Sequence, residues 1–568
     1  MKDKIKVIPL GGQDETAKNL IIIEINDDIF VVDAGAKYPD RSMHGIDYII
    51  PRCDYLYENK DRVKAYIILK GHDTVFGGLP YIYSKIPAPI YCTDITRIYI
   101  EYFLKINKLN IEFDYRIKET SDDFLIAGRR IRFFPTCTNM AHSVGVAIST
   151  TEGNIAILDD FVIDNNSDKG YLTSSKMLSS VTEEDTLLLM LDSAMSGRAG
   201  FSNPNYKLAP LLQRAFKDAP GRIFITLNNL DLYNTEMIFK LGYKTGRKIF
   251  PFDEAAKYKY LKITEVYNPG LPKSAFMSLD DINRIPPQNV LVVLPTHGMN
   301  IYNKISRLAL GQNEDKRLKI YPTDTFIIGI QKTNTNETIL TNTIDELYHT
   351  DCKIVYFDKK QFIRMHPSQE DLKTMIALFS PKNYMPINGL YSSLLDNAKL
   401  AVDMGIGLNH LNVFVLDNGN VLNYTPNGFK IDKEKVNAGD VLVDGKRMGS
   451  GDSTVISERN VLGEDGVIIL AATVSKTSQK IILGPDIQTR GLVFVKESEA
   501  LLKEINRVFV ATIEDNIKKH FSIDVIEQNV ADIVFKTIRR HTLKSPLVIP
   551  HIEIVDWLWK RKLLLKKM

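Results

Sequence analysis

The chain has 568 residues, too many for one hydrophobic core, and its 44% apolar and 25% charged content is that of an ordinary folded protein. Three or four domains are expected and no disordered tract. With 72 Lys and Arg against 69 Asp and Glu, whole-chain charge gives no general attraction to nucleic acid, so any RNA site must come from local clustering.

The first residues run directly into a strand without the apolar stretch of a signal peptide, and no uncharged run reaches the roughly 18 residues of a membrane span. Four cysteines, Cys53, Cys92, Cys137 and Cys352, lack paired spacing, which argues against a disulfide framework. A cytoplasmic location without membrane attachment is expected. From Ile5 to about residue 200, short β-rich runs such as Ile21-Ile22-Ile23-Glu24 and Phe30-Val31-Val32-Asp33 alternate with glycine turns, which predicts a layered sheet domain. Within it, Ile67-Ile68-Leu69 leads into the polar turn Lys70-Gly71-His72-Asp73-Thr74-Val75 and then Gly77-Gly78. Between about 205 and 365, strands such as Arg222–Thr226 and Val290–Leu294 alternate with helical stretches, the pattern of a parallel sheet.

After 366 a helix over Gln369–Leu378 leads to Tyr384-Met385-Pro386-Ile387, and hairpin turns are predicted at Asp417–Asn420 and Asp444-Gly445. A turn-rich connection over 446–466 precedes a last segment over 467–568 that reads strand, helix, helix, strand, with helices at Leu501–Ile517 and Val525–Arg539. The basic tail over 560–567 is either an RNA contact or a solvated helix end.

The ordered set of fragments resembles the bacterial ribonuclease J family, metallo-β-lactamase enzymes with an inserted β-CASP domain. It runs from Leu10–Asn19, through Val32-Asp33-Ala34-Gly35, Gly45–Pro51 and Thr343–Leu347, to Ser368–Lys373, Tyr384–Gly389 and Gly484–Val495. The resemblance implies an α/β chain with an αββα lactamase sandwich over 1–205 and 366–445 and a β-CASP parallel-sheet domain over 206–365. A linker over 446–466 and a small α+β domain over 467–568 complete it. It also implies work on RNA, including mRNA decay and rRNA maturation, and assembly into homo- or hetero-oligomers.

In that family two zinc ions activate a water that attacks a phosphodiester. The family turn is His-x-His-x-Asp-His, and here Lys70 stands at the first histidine, His72 at the second, Thr74 at the aspartate and Val75 at the last histidine. Of the remaining ligand positions, Thr138 and Asn388 replace histidines, whereas Asp160 keeps an aspartate. His72 and Asp160 alone are retained of seven, and two ligands do not hold a dinuclear site, so no cofactor is expected. Lys70 is expected to pair with Asp160, its ammonium standing where metal charge stood. Asp192 and His366 match the family positions that orient the general acid and contact the scissile phosphate; the plain alternatives are a helix-capping aspartate and a loop histidine.

The family's nucleotide-holding stretch falls on Asn229–Tyr233 and its phosphate loop on Thr296–Asn300, and both have exchanged polar donors for other side chains. RNA-binding residues cannot be assigned from the sequence. The expected function is therefore a ribonuclease J-like, catalytically silent subunit that partners an active ribonuclease J paralogue. Two alternatives are an active ribonuclease with an altered metal site, built on His72, Asp160 and His142 or Asp73, and an RNA- or ribosome-binding module without a nuclease partner.

Overall fold

A computed structural model describes residues 2–40, 43–164, 170–171, 173, 175–202, 208–228, 230–252, 254–267, 270–296, 300–313, 316–329, 336–357, 366–445, 447–450, 454–492 and 499–555. The chain divides into two compact units, one of residues 1–38 and 47–449, the other of 39–46 and 450–568.

Two sheets face each other in the larger unit. One has eight strands, in the order Gly428–Ile431, Leu422–Thr425, Ile5–Gly11, Leu20–Ile25, Asp28–Val32, Val63–Ile67, Ile90–Cys92, Tyr115–Ile117. The other has six, in the order Tyr384–Ile387, Thr186–Asp192, Gly153–Leu158, Val144–Thr150, Arg129–Pro135, Asp123–Ile126. Successive side chains point to opposite faces, and because both faces are covered the central strands are apolar on both. Ile21, Ile23, Phe30, Val32 and Ile67 meet Ile131, Val146, Ile157 and Met190 between the sheets. Leu20, Ile22 and Val31 face the opposite way, into a cluster that includes Ile95 and Phe103 of helix Asp94–Ile106. On the far side of the second sheet, Ala156, Leu158, Leu189 and Leu191 pack on Leu372, Ile376 and Phe379 of helix Gln369–Phe379. Helices thus cover both outer faces, the αββα sandwich.

Between strands Thr186–Asp192 and Tyr384–Ile387 the chain forms a separate five-stranded sheet, wholly parallel, in the order Lys248–Pro251, Val290–Thr296, Ile223–Asn228, Thr325–Ile328, Lys353–Tyr356. The chain then returns to the sandwich, where Tyr384–Ile387 pairs parallel with Thr186–Asp192. In the smaller unit, helices Glu499–Lys518 and Ile523–Thr542 cover one face of a three-stranded sheet through Ile505, Phe509, Val530 and Val534.

Two expectations need correction. The Asp417–Asn420 turn does not join two strands; Gly419 N–H donates to Pro9 O and Asn418 Nδ2 to Gln13 O, so the turn docks on the N-terminal segment. The hairpin instead lies one strand later, between Leu422–Thr425 and Gly428–Ile431. The 446–466 stretch, read as a connection, contains helix Thr454–Glu464, whose apolar residues lack an amphipathic period and so leave no helical signal in the sequence. Among the described residues no helix is long and apolar enough to cross a membrane.

Candidate functional site

Strand Val63–Ile67 ends beside Asp28–Val32 and Ile90–Cys92, and the chain turns at once through Lys70, Gly71 and His72. Three hydrogen bonds fix that turn. Leu69 N–H donates to Asp33 Oδ1 at 3.1 Å, while Thr74 N–H and Thr74 Oγ1 meet His72 Nδ1 at 3.2 and 2.9 Å, which makes His72 the N-cap of helix Asp73–Phe76. The turn lies so close to the strand end at Gly35 that a Cβ there would sit 1.6 Å from Thr74 O, so only glycine fits.

Lys70 is 3% exposed. A lone buried ammonium costs several kcal/mol, so its partners define the site. Nζ lies 2.7 Å from Asp159 Oδ2 and contacts Asp160 Oδ1, both carboxylates following strand Gly153–Leu158. Asp159 Oδ1 accepts from Asn388 Nδ2 at 2.5 Å and from Asn19 Nδ2 at 3.3 Å. Asn388 follows strand Tyr384–Ile387 with φ of +56°, a left-handed conformation that asparagine tolerates. Burial alone would push Asp160 up, but the Lys70 ammonium holds it well below the ordinary carboxylate range. Burial, reinforced by the Asp160 charge, raises Asp159 to about 6. Lys70 is held above its ordinary value because Asp159 and Asp160 outweigh the cost of its burial.

The second pair joins the two ends of the inserted sheet's connections. Asp192 terminates strand Thr186–Asp192, and its Oδ2 lies 3.0 Å from His366 Nδ1. Burial opposes charge on the imidazole, yet Asp192 and Asp160 hold His366 up to about 9, so Nδ1–H donates to Asp192. Both pairs line one cavity of about 610 Å3, whose apolar lining includes Leu208, Leu212, Ile225, Ile238 and Phe357.

The matching region of the family described as the ribonuclease J C-terminal domain covers residues 454–555. Over 549 residues, 96% of this chain and 98% of the relative, the sequence is 28% identical to Ribonuclease J 2 of Staphylococcus aureus, and it is equally identical over the same shares to Ribonuclease J 2 of Staphylococcus saprophyticus. Along nearly its whole length this chain is similar to ribonuclease J. A solved structure of a protein of unknown function from Enterococcus faecalis V583 aligns with 74% of this chain and 100% of its own, at a TM-score of 0.49 and 14% identity.

In this ribonuclease J-like chain the cavity brings together Lys70, His72, Thr74, Asp160, Asp192, His366 and Asn388. Two expected positions lie elsewhere. Val75 is fully buried in the apolar cluster behind the turn, and Thr138 Oγ1 lies 2.7 Å from Ser143 Oγ and donates to Met140 O, 1% exposed. Asp192 is not a helix cap, since its carboxylate is committed to His366. The 229–233 stretch keeps more polar function than its sequence suggests: Asp231 caps helix Leu232–Lys244 through Asn234 N–H and lines the cavity. Asn229 and residues 297–299 of the phosphate-loop stretch lie outside the described residues, as does the tail over 560–567.

Donors suited to a dication are committed to one another. Asp159 and Asp160 are taken by Lys70, and Asn388 presents its NH2 group to Asp159. His72 accepts from Thr74 N–H at Nδ1, so a neutral ring carries its proton on Nε2 and has no second lone pair for a metal. Asp73 accepts from the Tyr38 hydroxyl at 2.7 Å, and the His142 ring packs edge-on against Tyr267 at 5.2 Å. Neither lines the cavity. Among the described residues no cluster of three His, Cys, Asp or Glu is placed to hold a metal ion.

Sequence matching missed Asp159, the residue that receives Lys70, Asn388 and Asn19 together. The available signal was Asp159-Asp160 itself: a lysine buried at a turn needs more than one anionic acceptor, and two adjacent acids at a strand end supply them.

The His366 pair carries a pH prediction. Unfolded, His366 loses its proton near its ordinary 6.5; folded, it keeps it to about 9. The bond to Asp192 therefore contributes fully below pH 6.5 and is lost as pH rises to about 9, so stability should fall across that window. The imidazole is 35% exposed, and solvent screening makes the effect modest. Urea midpoints measured across the window should decline in the native chain and flatten in His366→Gln; equal slopes would contradict the pairing.

Proposed function

We propose that this chain works in RNA processing as a ribonuclease J-type subunit that binds RNA without performing two-zinc hydrolysis itself, and that it partners an active ribonuclease J paralogue. The observation that carries this reading is the Lys70 ammonium seated on Asp159 and Asp160. A dication brought to those carboxylates meets a fixed positive charge about 3 Å away, and the remaining ligand positions offer an amide, a hydroxyl or nothing. A lysine neutralises the acids as a metal would, yet it can neither hold a hydroxide nor polarise a phosphoryl oxygen.

Elemental analysis of the purified full chain after dialysis against zinc or manganese is expected to show far less than one ion per chain, with no release of nucleotides from 5′-monophosphorylated RNA. Stoichiometric retained metal together with hydrolysis would overturn the reading. Affinity capture from the native cell should recover a ribonuclease J with an unbroken His-x-His-x-Asp-His turn.

The Asp192–His366 pair favours a second reading, an active ribonuclease with an altered site. A protonated imidazole beside a cavity is a general acid in waiting. The same hydrolysis assay separates the two, because the second reading requires turnover that His366→Gln abolishes.

A further inference from the structure

Helix Leu232–Lys244 has two working faces. Asp231, Asn234, Thr235 and Ile238 recur at i, i+3, i+4 and i+7 and line the large cavity. Tyr233, Glu236, Met237, Lys240, Leu241 and Lys244 fall on the opposite side, where they line a second pocket of about 170 Å3 against helix Leu208–Lys217. Only the helix separates the two, a width of about 10 Å.

We propose that this second pocket takes one base of single-stranded RNA, with neighbouring phosphates on Lys240 and Lys244; the proposal rests on the RNA-binding reading above. Its size suits a single planar heterocycle, since sites for larger ligands run from roughly 300 Å3 upward. Met237, Leu241 and Ala209 supply apolar contact, and Tyr171 and Tyr233 supply an aromatic wall, their rings edge-to-face at 5.1 Å. Gln213 is exposed at the rim, where its side-chain amide offers both a donor and an acceptor to the edge of a base. Lys240 and Lys244 stand one turn apart on the same face, and Lys244 is exposed, which places positive charge where a backbone would run.

Tyr233 also ties the pocket to the cavity. Its N–H donates to Asn139 O at 3.0 Å, and the Asn139 side chain, itself lining the cavity, donates to Leu230 O at 3.0 Å. An acidic peptide would need only the two lysines; the aromatic wall and the ring-sized volume favour a base.

Binding of a labelled oligouridylate to the full chain, followed by fluorescence anisotropy over a range of salt, tests this. Tyr233→Leu is expected to weaken binding about tenfold with the salt slope unchanged, because stacking is lost and charge is kept. Lys240→Gln with Lys244→Gln should lower the slope of log affinity against log salt by about 1.4, two phosphates' worth on a single strand. Lys503→Gln, on the smaller unit, should leave both unchanged. If the native chain binds and the pocket variants bind equally well, the pocket assignment fails and the RNA reading survives. If the native chain binds no RNA, both fail. Displacement of the RNA by polyglutamate, with Tyr233→Leu binding as the native chain does, would assign the surface to an acidic peptide and overturn the proposal. The lysine pair lies at the pocket rim and decides the matter even if Tyr233→Leu does not fold.

Discussion

Lys70→Met should destabilise the fold by about 3–5 kcal/mol, because it leaves two buried carboxylates without their cation. Asp159 and Asp160 are 4% and 9% exposed, and Asn388 and Asn19 give Asp159 only neutral hydrogen bonds, which do not replace a charge. The loss should depend on pH in a stated direction. In the native chain Asp160 is depressed by Lys70, so its contribution is present above the ordinary carboxylate value and is lost as pH falls below it. Asp159, already raised to about 6, behaves oppositely: it destabilises the fold as pH rises from about 4 to 6. Without Lys70 both acids belong to the second class, so the gap between variant and native chain should widen from pH 4 to 7. Urea unfolding at those two values measures it. Adding Asp159→Asn and Asp160→Asn to Lys70→Met should recover most of the loss, since the uncompensated charges go with it. A penalty below about 1 kcal/mol at pH 7, within the range of exposed pairs, would mean that the ammonium is not the counter-charge of this site.

That counter-charge explains how the buried acids of this cavity are tolerated. Carboxylates gathered in one buried place repel one another, and a chain that keeps Asp33, Asp159 and Asp160 together needs an internal cation or must leave some of them neutral. Burial and the neighbouring Asp159 charge push Asp33 well above its ordinary range, so it sheds its charge, while Lys70 serves the other two.

The sandwich was legible in the strands because both faces of Leu20–Ile25 and Asp28–Val32 are apolar, which only a sheet covered on both sides requires. Helix Gln369–Phe379 was legible for a different reason: Ser368 and Asp371 form a capping box ahead of an amphipathic run. Helix Thr454–Glu464 carried neither signal. The turn at 417–420 was misread because Asn-Gly marks a reversal but not its partner, and here the partner is the N-terminal strand more than 400 residues away. At the site, the pairing of Lys70 with Asp160 could be anticipated from the loss of metal donors. The amide bonds to Asp159 could not, since tertiary structure alone brings Asn19 and Asn388 to it. The pocket behind helix Leu232–Lys244 draws on Tyr171, residues 209–213 and the helix itself, a combination without any local spacing to betray it.

Restoring the metal turn alone should not restore hydrolysis. Lys70→His, Thr74→Asp and Val75→His together recreate the family pattern in one turn, yet the triple variant is expected to retain far less than one zinc per chain and to release no nucleotides from 5′-monophosphorylated RNA. Two positions still lack imidazole. Thr138 is buried and bonded to Ser143 and Met140, and Asn388 holds Asp159 through its NH2 group. Thr74 N–H occupies the lone pair of His72 Nδ1, so ligation there also costs the helix cap. Val75 is 0% exposed among apolar neighbours, and a histidine in its place costs about 1–3 kcal/mol for an unpaired polar group and about the same again for overpacking. The variant should therefore unfold at lower urea than the native chain, zinc or no zinc. Adding Thr138→His and Asn388→His is the smallest change that supplies every missing imidazole, and zinc retention should rise only with that five-fold variant. Tight zinc and phosphodiesterase turnover in the triple variant would show that Thr138 and Asn388 do not occupy ligand positions.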